Sequence, residues 1–237
     1  MGLRDQISTP DGKRRYVRTL FSTIADRYDL ITVALSYGQD RRWKRQLVEL
    51  VAPRPELRIL DLATGTGDIA LGLAARGAHV VALDITPRMI ELAHAKSRSA
   101  CSVRFLVGDM LALPFSSGLF DAVTVGYGLR NVPDLGTAID EAFRVLKAGG
   151  VVVSLDFNRP RNLMIRSVYL AYLTIVGSAL GWLLHRDPDT YRYIPASLRT
   201  YPGAHGVAAM MRGRGFEQVV HHPVLGGLMS IHQAFKP

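Results

Sequence analysis

From Arg58 to about Phe157 the chain alternates short apolar, strand-like runs with helical stretches; the runs are Arg58–Ala63, Val80–Asp84, Val103–Val107, Phe120–Val125 and Val151–Phe157. Parallel neighbours cannot be joined by a tight turn and need a crossover, usually a helix, so this alternation limits the fold more than any other feature. It predicts a doubly wound α/β sheet. Two more strands, Phe216–His222 and Leu228–Phe235, flank Gly226-Gly227 and read as a closing hairpin. With 48% hydrophobic and 21% charged residues, 237 residues can bury a sizeable core, which excludes disordered and fibrous classes.

The flanking segments are helical in pattern. Residues 1–50 carry Phe21, Ile24, Tyr28 and Leu30, then Trp43, Leu47 and Leu50, at spacings of three, four and seven that share a helical face. Thr86-Pro87 supplies a helix start. Asp134 precedes Leu135, Ala138, Ile139, Ala142, Phe143 and Leu146, a helix expected to stop at Gly149-Gly150. The expected organisation is one domain over 1–237, with an N-terminal helical cap (1–50), a core (58–157), a helical insertion (160–210) and the closing hairpin (216–237). Within the insertion, Ser167–Leu184 has no charged side chain and reaches the lower length limit of a membrane span. The strands on both sides read as parts of one sheet, which argues against a crossing and leaves a buried core helix or an apolar cover over a lipophilic substrate that also touches a membrane.

A single cysteine, Cys101, rules out a disulfide framework and a thiolate metal site, and reads as packing in a reducing compartment. The N-terminus lacks the charged-then-apolar run of a secretory signal, and Gly2 is not followed by the Ser or Thr of a myristoylation site; a cytoplasmic protein is expected. Twenty-nine basic against 20 acidic residues give +9, suited to an anionic partner. The basic residues are scattered rather than clustered, so a solvated surface is the leading reading, contact with an anionic membrane is left open and nucleic acid is not expected.

The strongest local signal is the run Asp61-Leu62-Ala63-Thr64-Gly65-Thr66-Gly67-Asp68, where the first strand ends and a helix begins. Gly65 and Gly67 let the backbone approach a ligand closely, and the carboxyl ends of strands are where open α/β sheets bind ligands. Asp61 and Asp68 set acid where a pyrophosphate needs positive potential, which disfavours a dinucleotide. The second strand ends in Asp84, followed by Ile85, and an ionised carboxylate there can accept both hydroxyls of a ribose. The third ends in Asp109-Met110, able to take an exocyclic amino group and to cover an adenine ring. Three acids at three successive strand ends fit a cationic adenosyl donor, S-adenosylmethionine.

These residues resemble class I S-adenosylmethionine methyltransferases, and more closely the ubiquinone/menaquinone biosynthesis C-methyltransferases, the UbiE family. The likeness spans nearly the whole chain. It includes Phe21-Ser22-Thr23-Ile24-Ala25-Asp26-Arg27-Tyr28-Asp29, Leu35-Ser36-Tyr37-Gly38 with Trp43-Lys44, the glycine loop, Ala112-Leu113-Pro114-Phe115, Tyr127-Gly128-Leu129-Arg130-Asn131-Val132, Arg144-Val145-Leu146-Lys147, and Tyr191-Arg192-Tyr193-Ile194. The resemblance implies a Rossmann-like fold with a seven-stranded, mostly parallel sheet containing one antiparallel strand. It also implies methyl transfer to a ring carbon of a polyprenylated quinol, a demethylmenaquinol or a methoxy-polyprenyl-benzoquinol. By motif, Thr66, Asp84, Asp109, Met110 and Gly126 take the donor. Asp109, Gly126 and the run Leu155-Asp156-Phe157-Asn158 depart from residues common in relatives, and the last bears on the acceptor pocket.

A quinol carbon becomes nucleophilic when the neighbouring hydroxyl is ionised, so the chemistry asks for a phenolate stabiliser. Arg130 is the leading candidate, since its guanidinium stays charged and donates two hydrogen bonds. Asn131 can orient a water that removes the proton, and Tyr28 can hydrogen-bond a quinol oxygen. Competing roles are an ion pair of Arg130 with a nearby acid such as Asp134, and core packing of Tyr28. No metal is expected, because His185, His205, His221, His222 and His232 lack a ligand spacing with an acid. A homodimer is left open. The alternatives are a methyltransferase of another phenolic or lipid acceptor, and a non-catalytic scaffold that binds S-adenosylmethionine or a quinone.

Overall fold

The computed structural model describes residues 7–36, 38–97 and 102–237. The readings made on the N-terminal six residues, on Tyr37 and on Cys101 lie outside them.

Seven strands form one sheet in the order β3-β2-β1-β4-β5-β7-β6. They are β1 Arg58–Leu62, β2 His79–Asp84, β3 Val103–Val107, β4 Phe120–Gly126, β5 Leu146–Phe157, β6 Glu217–Val224 and β7 Met229–Phe235. The first five are mutually parallel, and β7 runs antiparallel to both β5 and β6, as the hairpin at Gly226-Gly227 requires. The sheet is therefore the one expected, with a single reversed strand. Chain order turns back at β1, so β1 and β4 leave a crevice at their carboxyl ends.

Nine α-helices are described: α1 Pro10–Ile24, α2 Tyr28–Leu35, α3 Asp40–Val51, α4 Asp68–Ala74, α5 Pro87–Lys96, α6 Leu135–Val145, α7 Leu163–His185, α8 Tyr193–Thr200 and α9 Gly203–Arg212. Their starts follow local chemistry. Thr9 caps α1 by accepting from the Gly12 amide at 3.1 Å, and Asp134 caps α6 by accepting from that of Thr137. Thr86 and Pro87 do open α5, although the Thr86 side chain makes no cap hydrogen bond.

Helix α6 stops at Val145, before the expected Gly149-Gly150. Leu146 is extended, fully buried and paired with Phe120, so the sheet captures it and the two glycines fall within an irregular start of β5. Leu30 also departs from expectation: it is 61% exposed while its neighbour Ile31 is buried. Two apolar clusters cover the sheet, one including Leu60, Val123, Ile139 and Val207, the other Trp43, Leu47, Ile59 and Ile69. A third joins Ile24 and Ile31 to Tyr191, with Leu180 and Leu184 of α7 against it.

Helix α7 is not the buried core helix that its composition allowed. Only Tyr169, Leu173, Gly177 and Gly181 are buried, one stripe at spacing four. The opposite stripe, Met164, Val168, Ile175 and Trp182, is apolar and exposed. Gly181 lies so close to the segment that follows that a Cβ there would come within 2.4 Å of the Asp187 carbonyl oxygen. The Gly177/Gly181 pair therefore serves packing within the chain.

Candidate active site

Asp61 lies in the middle of the sheet, fully buried. Its Oδ1 accepts from the Thr124 hydroxyl of β4 and its Oδ2 from that of Thr64, both at 2.6 Å. Burial pushes its pKa up to about 6 against the effect of these bonds. Asp61 thus anchors the glycine loop from beneath. The loop turns through left-handed backbone at Ala63, Gly65 and Gly67. At Gly67, with φ +86, a Cβ would also meet the Phe105 ring at 3.1 Å, so a side chain is excluded twice over.

Asp84 ends β2 and fastens the loop from the side. Its Oδ2 accepts from the Gly65 amide at 2.9 Å and its Oδ1 from the Thr86 amide at 2.8 Å. Burial raises its pKa, and these two amides oppose the rise. Around it opens a cleft of about 700 Å³, open solvent included, into which Gly65, Asp84, Ile85, Asp109, Met110 and Gly126 all face. Six of the nine predicted donor residues are thereby brought together.

The other three, Asp61, Thr66 and Gly67, shape the loop without lining the cleft. Thr66 donates to Asp29 at 2.6 Å and accepts from Lys96 at 3.1 Å. Asp68 also turns away, pairing with Lys96 at 2.6 Å and Lys44 at 2.8 Å. The negative lining of the cleft therefore comes from Asp84 and Asp109, and Asp61 and Asp68 do not line it. One is consumed inside the sheet; the other leaves the first turn of α4 on its outer side.

Sequence reasoning missed Arg14. From α1 it reaches across the cleft to Asp109 at 2.9 Å, and no motif surrounds it. The Leu111 amide holds the other Asp109 oxygen at 2.9 Å.

A second cavity, about 620 Å³ with open solvent included, is mostly apolar: Leu20, Ile24, Ile31, Leu35, Trp43 and Ile194 contribute. Phe21, Tyr28 and Tyr127 line both spaces. Tyr28 stands at this shared wall, and burial pushes its phenol up to about 12, so near neutrality it is a proton-bearing donor. Tyr127 continues β4 in left-handed backbone, φ +60, a costly conformation for an aromatic residue. Its carbonyl accepts from Arg130 and from Asn131, each at 2.8 Å, and its hydroxyl is bonded to Asp40 at 2.7 Å.

The turn Leu129–Asn131 splits the predicted catalytic pair. Arg130 faces the second cavity and Asn131 the first cleft. The acid that pairs with Arg130 is Asp156, not Asp134, which is occupied as the α6 cap. Asp156 accepts from the Arg130 guanidinium and from its backbone amide, both at 3.1 Å, while the guanidinium lies 4.7 Å from the centre of the Phe157 ring. The pair is almost wholly buried, 6% and 1% exposed. Burial raises the Asp156 pKa, and Arg130 is the chief counterweight. The departure seen in Leu155-Asp156-Phe157-Asn158 was the one available signal for this anchor.

Among the described residues no group of three or more His, Cys, Asp or Glu side chains is arranged to hold a metal ion. His232 is buried and its Nε2 is 2.9 Å from the Ala204 carbonyl oxygen.

The model of the ubiE/COQ5 methyltransferase family matches residues 9–236. The chain is 43% identical over 221 residues to a demethylmenaquinone methyltransferase of Thermus thermophilus, covering 92% of this chain and 100% of that protein. It is 38% identical over 230 residues to a ubiquinone/menaquinone biosynthesis C-methyltransferase UbiE of Zymomonas mobilis, covering 96% and 95%. Among solved structures, a SAM-dependent methyltransferase of Thermotoga maritima, described as a possible histamine N-methyltransferase, aligns with a TM-score of 0.67 at 19% identity, over 93% of this chain and 100% of that one. At that identity the likeness shows the fold alone.

Proposed function

This chain belongs to the ubiE/COQ5 methyltransferase family, and from that premise we propose that it methylates a ring carbon of a polyprenylated quinol, a demethylmenaquinol or a methoxy-polyprenyl-benzoquinol, with S-adenosylmethionine as donor. The observation that carries the reading is the pair of spaces with a common wall. One is apolar with two carboxylates; the other is apolar with one buried guanidinium; Phe21, Tyr28 and Tyr127 stand between them.

The residues present fit the donor. Asp84 has acceptor capacity left beyond its two amide bonds and suits a ribose diol, Leu83, Ile85, Met89 and Met110 form apolar walls for a purine, and Asp109 suits an exocyclic amine. When bound, the donor supplies an electrophilic methyl group on a sulfonium. The protein's part is alignment of the acceptor and exclusion of water. Arg130, held in plane by Asp156 and Phe157, stabilises the quinol oxygen as it gains negative charge. Tyr28 donates at the shared wall. Asn131, on the donor side, keeps its place in the proposal as an orienting residue for donor or water.

A prenyl tail suits the apolar part of the second cavity, where each buried methylene contributes about 0.8 kcal/mol. The outward stripe of α7 supports contact with an anionic bilayer. It is apolar over ~27 Å at 1.5 Å per residue, the helix carries no acid, and Arg161, Arg166 and Arg186 lie within or beside it. Its inner side, through Leu180 and Leu184, packs on the cluster that lines the second cavity. The test of the activity is transfer of labelled methyl to both reduced quinols and to a panel of simple phenols. Label on the quinol ring carbon is the expected result; label on oxygen, or on a phenol alone, overturns it.

A further inference from the structure

Tyr193 opens α8 within the Tyr-Arg-Tyr run. Its side chain is 1% exposed and forms part of the wall of the second cavity. The ring is held 5.4 Å from that of Tyr16 on α1. Its hydroxyl is buried with no hydrogen-bond partner in the molecule, and so is the Nε of Arg130, a residue that lines the same cavity and is close enough for its charge to act on the Tyr193 phenol. Buried polar groups are nearly always paired, because an unpaired one loses its water and gains nothing. Two buried, unpaired donors on residues of one cavity wall mark a place suited to an acceptor oxygen.

We propose that the Tyr193 hydroxyl and the Arg130 Nε–H together grip one ring oxygen of a phenol-type acceptor, so that Tyr193 contacts the substrate beside Arg130 and Tyr28. The inference rests on the methyl-transfer reading above and adds a residue to it. Both groups donate, so both favour the oxygen as it becomes anionic. Burial raises the Tyr193 phenol well above its usual pKa, with Arg130 opposing, and this keeps it a donor. The other charged or titratable groups near this point are Asp156 beneath Arg130, Tyr16 and Lys13 from α1, Tyr28 and Tyr127 at the shared wall, and Tyr191, whose hydroxyl is 2.8 Å from His185 Nε2. Lys13 is already engaged, donating to the Arg130 and Val132 carbonyls. Tyr201, also buried near Asp156 and Arg130, does not line the cavity.

The experiment is Tyr193→Phe in the full chain, assayed with labelled donor and a short-tailed demethylmenaquinol. Donor affinity by calorimetry is expected to stay unchanged while kcat falls about tenfold. The acid limb of the kcat–pH profile should move up by about one pH unit, because the acceptor oxygen loses a bond that favoured its ionised form. The melting temperature of the unliganded variant should match or exceed that of the parent, since an unpaired buried hydroxyl has gone. Unchanged kcat and an unmoved limb overturn the proposal. So does a lower melting temperature with rates reduced equally at every pH, which would mark a packing role. If the parent protein methylates no quinol, the C-methylation reading fails, but quinol binding still decides this one: weaker binding to the variant supports the grip, and equal binding sinks it.

Discussion

Asp84 shows how one side chain can serve the loop and a ligand together. Two of its acceptor positions go to the amides of Gly65 and Thr86, and the carboxylate still faces the cleft. Replacing Asp84 with Ala is expected to weaken S-adenosylmethionine binding by about 1–3 kcal/mol; calorimetric titration checks this, and unchanged affinity would remove Asp84 from the donor site. Asp61, with both oxygens held by threonine hydroxyls, should influence donor binding only through loop order. At this scale much of the lining of the cleft was readable, because the acids and glycines sit at strand ends that periodicity locates. The division of labour among the acids was not. Which of them faces the cleft depends on Thr124, Lys44 and Lys96, which other parts of the chain deliver. Arg130 makes the same point: its partner Asp156 is 26 residues away in sequence, whereas the nearby Asp134 is taken by its own helix.

Among the elements, α7 is the one whose sequence reading left alternatives open. Its composition is compatible with a core helix, a membrane span or a surface cover, since all three are rich in Leu, Ile and Val. Position decides: the glycine stripe packs against the loop that follows, and the opposite stripe meets solvent. Gly181→Ala would bring a methyl group against backbone rather than a flexible side chain. A loss of about 1–3 kcal/mol is expected from such overpacking, seen as a lower urea midpoint with an unchanged slope. An unaltered midpoint would mean that α7 is not docked this way. The end of α6 carries a related lesson. Glycines mark a helix stop only when nothing earlier ends it, and here pairing of Leu146 with β4 comes first.

For the molecule as a whole, the basic excess and the outward stripe of α7 combine into one expectation. The protein should sediment with phosphatidylglycerol vesicles at low salt, and less so as salt rises. Ile175→Glu with Trp182→Glu, both at exposed positions, should abolish this without lowering the melting temperature. Indifference to anionic vesicles would overturn the bilayer reading, as would scattering data showing a second copy seated on the stripe. Strand order along the chain, the closing hairpin, the glycine loop and the acids at strand ends were all present in the sequence, because each is a local pattern of period or spacing, and the single reversed strand was implied by the family resemblance. Which acids line the cleft, which carboxylate holds Arg130, how Tyr28 and Tyr127 come to divide two cavities, and which face of α7 meets solvent were decided by the tertiary structure. Each is a contact between segments far apart in the chain, and the direction a side chain faces is set by what the fold brings against it.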